Sequence, residues 1–171
     1  MNAVHLHLML NHVAILGVLF ATLILIAGFL FKSPILRRAG MLAFLISAIS
    51  SAVVMNTGEG AEDSVESIAG VSKDNIEAHE ESAELSIWLA GVTGLLSAIG
   101  LFFFLKNRKL PGMLEGLILI GGLLATGSLM NTGLLGGKIR HTELSGSAVQ
   151  NAQGVGNEEG PGEKNKDGVD D

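Results

Sequence analysis

The sequence predicts an all-α integral membrane protein, a four-helix transmembrane bundle with a disordered C-terminal tail. Two observations carry this. The chain of 171 residues is 48% hydrophobic, with a mean hydropathy of +0.47, too apolar for an ordinary soluble domain of that size. Its apolar residues also gather into four runs, 9–31, 39–57, 85–105 and 113–135, each close to the ~20 residues that cross ~30 Å of hydrocarbon. The only formal charge inside these runs is Glu115, within a turn of an end.

The first run is long and has no basic residue before it, so it reads as an anchor that stays in the protein rather than a cleaved signal. A short turn, 32–38, leads to the second run, and another, 106–109, joins the third to the fourth. Together these turns hold six of the eleven Lys and Arg residues and no acid. The positive-inside rule puts both in the cytoplasm. Both termini and the connection 58–84 then lie outside, which corresponds to the periplasm of a bacterial inner membrane. That connection carries nine Asp and Glu residues against the single Lys73. The bundle occupies residues 1–144. The tail, 145–171, has six acids, two lysines and no aromatic residue, and it buries too little to offset the entropy of ordering. It reads as a solvated acidic tail, and it supplies most of the net charge of −6.

Met55-Asn56-Thr57-Gly58 closes the second run and Met130-Asn131-Thr132-Gly133 closes the fourth. One reading is a pair of repeated helical hairpins about an axis along the membrane normal. The plainer reading is that Asn-Thr-Gly makes a good helix end, with Gly as the left-handed cap. Small residues recur in the runs, among them Gly17, Gly28, Gly94 and Gly121, as close helix packing in lipid requires.

Cysteine is absent, which excludes disulfides, thiolate metal sites, iron–sulfur clusters and covalent c-type haem attachment. There is no phosphate loop, serine elbow or hydrolytic dyad, so an enzyme acting alone is not expected. Nor is there a basic surface for nucleic acid. No charge sits near the midplane, where a transporter holds its substrate.

What remains is an outer polar collection. His5, His7, His12, His79 and His141 all fall outside or at the outer boundary, with Glu59, Glu62 and Asp63. Ionisable groups at such a boundary are costly and point to function. Counting from the inner turns at ~1.5 Å per residue, His12 lies ~30 Å from Lys32 and His79 ~40 Å from Lys106. His7 and His5 match His79 in height if the first helix extends that far, and Glu62 and Asp63 stand near the same level. The ruler gives an outer layer of His5 or His7, Glu62 or Asp63, and His79, with His12 beneath. His5, Met9 and His12 share one helical face, and Met55, Glu59 and Glu62 repeat that spacing.

These residues resemble a family. His7 and His12 form a His-x4-His opening at the mouth of the first run. Thr57-Gly58, the acidic stretch and His79 follow, and the fourth run closes with Gly136-Gly137-Lys138-Ile139-Arg140-His141. Together they look like the predicted four-helix membrane proteins called domain of unknown function 2231, over residues 1 to about 143. The chain has Leu8 where that family's first Pro stands, and Val13-Ala14 for Phe-Pro. The family's domains can occur beside c-type cytochrome modules, so the resemblance implies a redox setting by association.

Two functional readings follow. In the first, the outer face holds b-type haem or a transition metal, for electron transfer or metal handling. Haem needs two axial ligands from different helices, best His7 with His79, while His12 or His141 can substitute. A non-haem metal would draw on His7, His12, His79 and the carboxylates Glu59, Glu62 and Asp63. In the second reading the chain is a non-catalytic subunit of a larger membrane complex. The expected partners are the lipid bilayer and a redox protein or membrane complex, with a homo-oligomer left open.

Overall fold

A computed structural model describes residues 3–66 and 72–140. The tail and His141 lie outside the described residues. Four helices make up the fold: α1 (Ala3–Leu30), α2 (Pro34–Glu66), α3 (Lys73–Leu105) and α4 (Gly112–Arg140). Each contains a segment long and apolar enough to cross a membrane, namely His7–Leu30, Pro34–Gly58, Lys73–Leu105 and Gly112–Ile139. The protein is therefore a multi-pass membrane protein, built from helix alone among the described residues.

The helices run up, down, up and down. α1 packs against α2 and α4, and α3 packs against the same two, so α1 faces α3 across one diagonal and α2 faces α4 across the other. The two tight turns are built alike. Lys32 and Asn107 adopt left-handed backbone, φ 50° and 52°. In one turn the Lys32 N–H donates to Phe29 O and Ser33 N–H to Gly28 O. In the other, Asn107 N–H donates to Phe104 O and Arg108 N–H to Phe103 O. These are Schellman closures, and they lie 75 positions apart, the same offset that separates the two Met-Asn-Thr-Gly segments. Ser33 then opens α2 by accepting the Leu36 N–H at 3.3 Å, with Pro34 at the first helical position, where its missing donor costs nothing.

The core is a column of Val18, Ala21, Leu25, Met41, Phe44, Ala90, Ile118, Ala125 and Leu129. Large side chains such as Phe20, Ile46, Trp88, Leu95 and Leu134 face outward, as expected where the solvent is lipid. Helices approach closely at small residues. A Cβ at Gly28 would stand 2.8 Å from Arg37 N, and one at Gly94 would stand 2.5 Å from the Ala48 Cβ. Hydroxyls staple the remaining seam, with Thr22 Oγ1 donating to Gly122 O at 3.2 Å and meeting Thr126 Oγ1 at 3.0 Å. At the basic-turn end Arg37 of α2 reaches across the diagonal to Glu115 of α4, with 2.7 Å to each carboxylate oxygen. This pairing explains the only acid inside an apolar run.

The helices outlast the apolar runs. α2 and α3 have 33 residues each, or ~50 Å at 1.5 Å per residue. α2 passes through Gly58 and Gly60, and α4 passes through Gly133, Gly136 and Gly137. The Met-Asn-Thr-Gly segments are therefore not helix ends. Asn56 and Thr57 turn their side chains back onto their own helix, at Ala52 O (2.8 Å) and Val54 O (2.7 Å), so their polar groups cost little inside it. What the repeated segments do instead is visible at the histidines.

Candidate functional site: a histidine pair across the bundle

His7 sits on the inward face of α1, in register with the buried Ala14, Val18, Ala21 and Leu25. Its Nδ1 lies 3.2 Å from Val54 O and 3.3 Å from Thr57 Oγ1 on α2. A carbonyl oxygen can only accept, so the proton is on Nδ1. His79 on α3 does the same to the other hairpin, donating from Nδ1 to Thr132 O of α4 at 3.0 Å. Each ring is thus anchored through Nδ1 on a Met-Asn-Thr-Gly helix. Neither Nε2 has a hydrogen-bond partner among the described residues. Both rings are half-buried, and they come from α1 and α3, which face each other across one diagonal.

A glycine lies beside each ring, and at His79 the space is needed. A Cβ at Gly58 would lie 3.4 Å from His7 Cε1, and one at Gly136 would lie 3.1 Å from His79 Cε1. Beneath the rings is a hydroxyl layer. Ser86 Oγ meets Ser128 Oγ at 2.7 Å and Thr132 Oγ1 at 2.8 Å, and Ser82 Oγ also meets Thr132 Oγ1 at 2.8 Å. The repeat is legible here too. His7 contacts Thr57, 50 residues on, and Ser82 contacts Thr132, also 50 residues on. In the second hairpin a serine therefore holds the place His7 holds in the first. His79 stands about one turn further out.

The other sequence candidates are not brought to this pair. His12 lies on the exposed side of α1 and donates Nδ1–H to Leu8 O of its own helix at 2.7 Å. His5, Met9 and His12 do share a face, but all three are exposed, and the face looks away from the bundle. Glu59, Glu62 and Asp63 belong to α2, and their side chains, like His141, lie outside the described set. The described acids nearest in sequence to His79, which are Glu77, Glu80 and Glu81, are exposed. Among the described residues no three His, Asp or Glu side chains converge as a metal site.

The chemistry that the arrangement permits follows from the rings. A histidine held by an Nδ1–H bond to a backbone carbonyl has its tautomer and orientation set, and Nε2 keeps its lone pair for a ligand. Sequence reasoning found His7 and His79 but missed Thr57, Thr132, Ser82 and Ser86, because the repeated tetrapeptide reads naturally as a cap. Its recurrence with identical letters was the available signal. Comparison of the chain with protein-family models, with curated protein sequences and with solved structures finds no match in any of the three.

Proposed function

We propose that this small membrane protein binds b-type haem between His7 and His79 and serves electron transfer. The observation that carries the reading is the matched pair of imidazoles. Each comes from a different hairpin, each is anchored through Nδ1, and each has its Nε2 uncommitted among the described residues. Two such nitrogens are the ligand set of a low-spin b-type haem, which when bound supplies a one-electron couple. Gly136 beside the His79 ring fits the same purpose, since a Cβ there would stand 3.1 Å from Cε1 and crowd the imidazole, whereas one at Gly58 would meet His7 at ordinary contact distance. A transition-metal site would add the carboxylates Glu59, Glu62 and Asp63, whose side chains lie outside the described residues, to the same two imidazoles.

Kinship with the proteins called domain of unknown function 2231 is part of the proposal, resting on the His7-x4-His12 opening and the Gly136-Gly137 close. So is the topology, with the histidine end on the periplasmic side of a bacterial inner membrane, as the basic turns favour.

Haem titration into the full chain in mild detergent tests the reading. Wild type is expected to saturate at one haem with a low-spin spectrum. His7→Ala and His79→Ala each lose that spectrum, and His12→Ala keeps it. Haem binding that is absent in wild type, or equal in all four proteins, would remove the proposal.

A further inference from the structure

The basic-turn end holds a second, unrelated feature. Arg37 and Arg38 are sequence neighbours that turn opposite ways. Arg37 points into the bundle and takes both oxygens of Glu115. Arg38 is exposed, and its guanidinium lies 4.6 Å over the Phe104 ring. No carboxylate pairs with it among the described residues. Beside it a groove of about 300 Å³ runs between α2 and α3, lined by Arg38, Leu42, Leu101, Phe104 and Leu105. Apart from the one guanidinium the lining is hydrocarbon, and Leu42 and Leu105 face outward.

The charge balance at this end is one-sided. Glu115 is taken by Arg37, which leaves Lys32, Arg38, Lys106, Arg108 and Lys109 without an acidic partner among the described residues. A cation at the rim of an apolar groove matches an amphiphile with an anionic head and a hydrocarbon tail. Stacking on Phe104 holds the guanidinium plane, and a held plane offers its fork of donors to phosphate oxygens. A free phosphate would use Arg38 and leave the four apolar residues unexplained. A basic pocket between transmembrane helices at a basic-turn end is also where anionic headgroups accumulate.

We propose that this groove is a site for an anionic phospholipid, its phosphate on Arg38 and one acyl chain along Leu42, Leu101 and Leu105. The site is separate from the histidine pair and stands or falls without it.

The test uses the full chain in mild detergent, with bound lipid counted by native mass spectrometry. Phosphatidylglycerol and phosphatidylcholine of identical chains are titrated, with glycerol phosphate as the headgroup alone. Wild type is expected to prefer phosphatidylglycerol about fivefold, the scale of one interfacial cation, and glycerol phosphate is not expected to compete. Arg38→Gln abolishes the preference and Lys109→Gln retains most of it. Leu42→Trp, which fills the groove and leaves every charge in place, lowers retention of both lipids. Equal retention of the two lipids by wild type, competition by glycerol phosphate, or a preference that survives Arg38→Gln overturns the site. Should Arg38→Gln fail to fold, Leu42→Trp decides, and unchanged retention in that variant overturns it.

Discussion

Replacing Gly94 with alanine probes a close approach of α2 to α3. The added methyl would stand 2.5 Å from the Ala48 Cβ, whereas ordinary contact begins at 3.4 Å. Ala48 has no flexible end to swing aside, so the helices must part by roughly 1 Å, and such overpacking costs about 1–3 kcal/mol. Against this stands the gain of up to about 1 kcal/mol when a helical glycine becomes alanine. Gly91, one turn earlier on the same helix, separates the two terms, because a Cβ there meets nothing within 4 Å. Gly91→Ala therefore keeps the propensity gain without the clash. The two variants should differ by about 1–3 kcal/mol, with Gly94→Ala the less stable. Unfolding by sodium dodecyl sulfate in mixed micelles, followed by circular dichroism, measures the difference. Ala48→Gly combined with Gly94→Ala should recover most of the loss. Equal stabilities for Gly91→Ala and Gly94→Ala would refute the packing of α2 on α3.

Other variants test the remaining seams. Glu115→Ala leaves the Arg37 guanidinium without its bidentate partner, where the two side chains are 12% and 23% exposed. The expected loss is about 2–4 kcal/mol, below that of a fully buried pair, and a double replacement by Leu at 115 and Met at 37 should restore most of it in the same assay. Lys32→Gly relieves a non-glycine residue at φ 50° and should raise stability by up to about 1 kcal/mol, read as a higher melting temperature. Thr132→Val removes the hydroxyl shared by Ser82 and Ser86 and should cost about 1–2 kcal/mol. It leaves the carbonyl that His79 uses intact, so haem titration of this variant should still give the low-spin spectrum.

The fold was legible because lipid imposes long apolar runs, and runs of that length identify helices without further help. Their extent was not. The 58–66 and 73–84 stretches are polar, and nothing in their hydropathy separates solvated helix from loop. α2 and α3 continue through both. The histidines divide by helical phase rather than by depth. His7 shares the phase of Ala14, Val18 and Ala21, which turns it inward. His12, five residues on, has moved about 140° around the helix and faces out. A depth ruler carries no phase: His12 does lie five residues deeper along α1 than His7, but on an outward face. The anchors Val54 and Thr132 act through backbone carbonyls, which no side-chain pattern can reveal. The Met-Asn-Thr-Gly repeat marked their neighbourhood only in part: Gly58 of the first copy lies against His7, whereas Gly133 of the second lies against Ile15 and the glycine beside His79 is Gly136.

The most direct test of the central claim is a reduced-minus-oxidised optical spectrum of the full chain, purified in mild detergent from cells supplied with haem precursors and assayed for metals. A low-spin b-type spectrum at one haem per chain is expected, lost together in His7→Ala and His79→Ala. A featureless spectrum, with no stoichiometric haem after reconstitution, would contradict the claim.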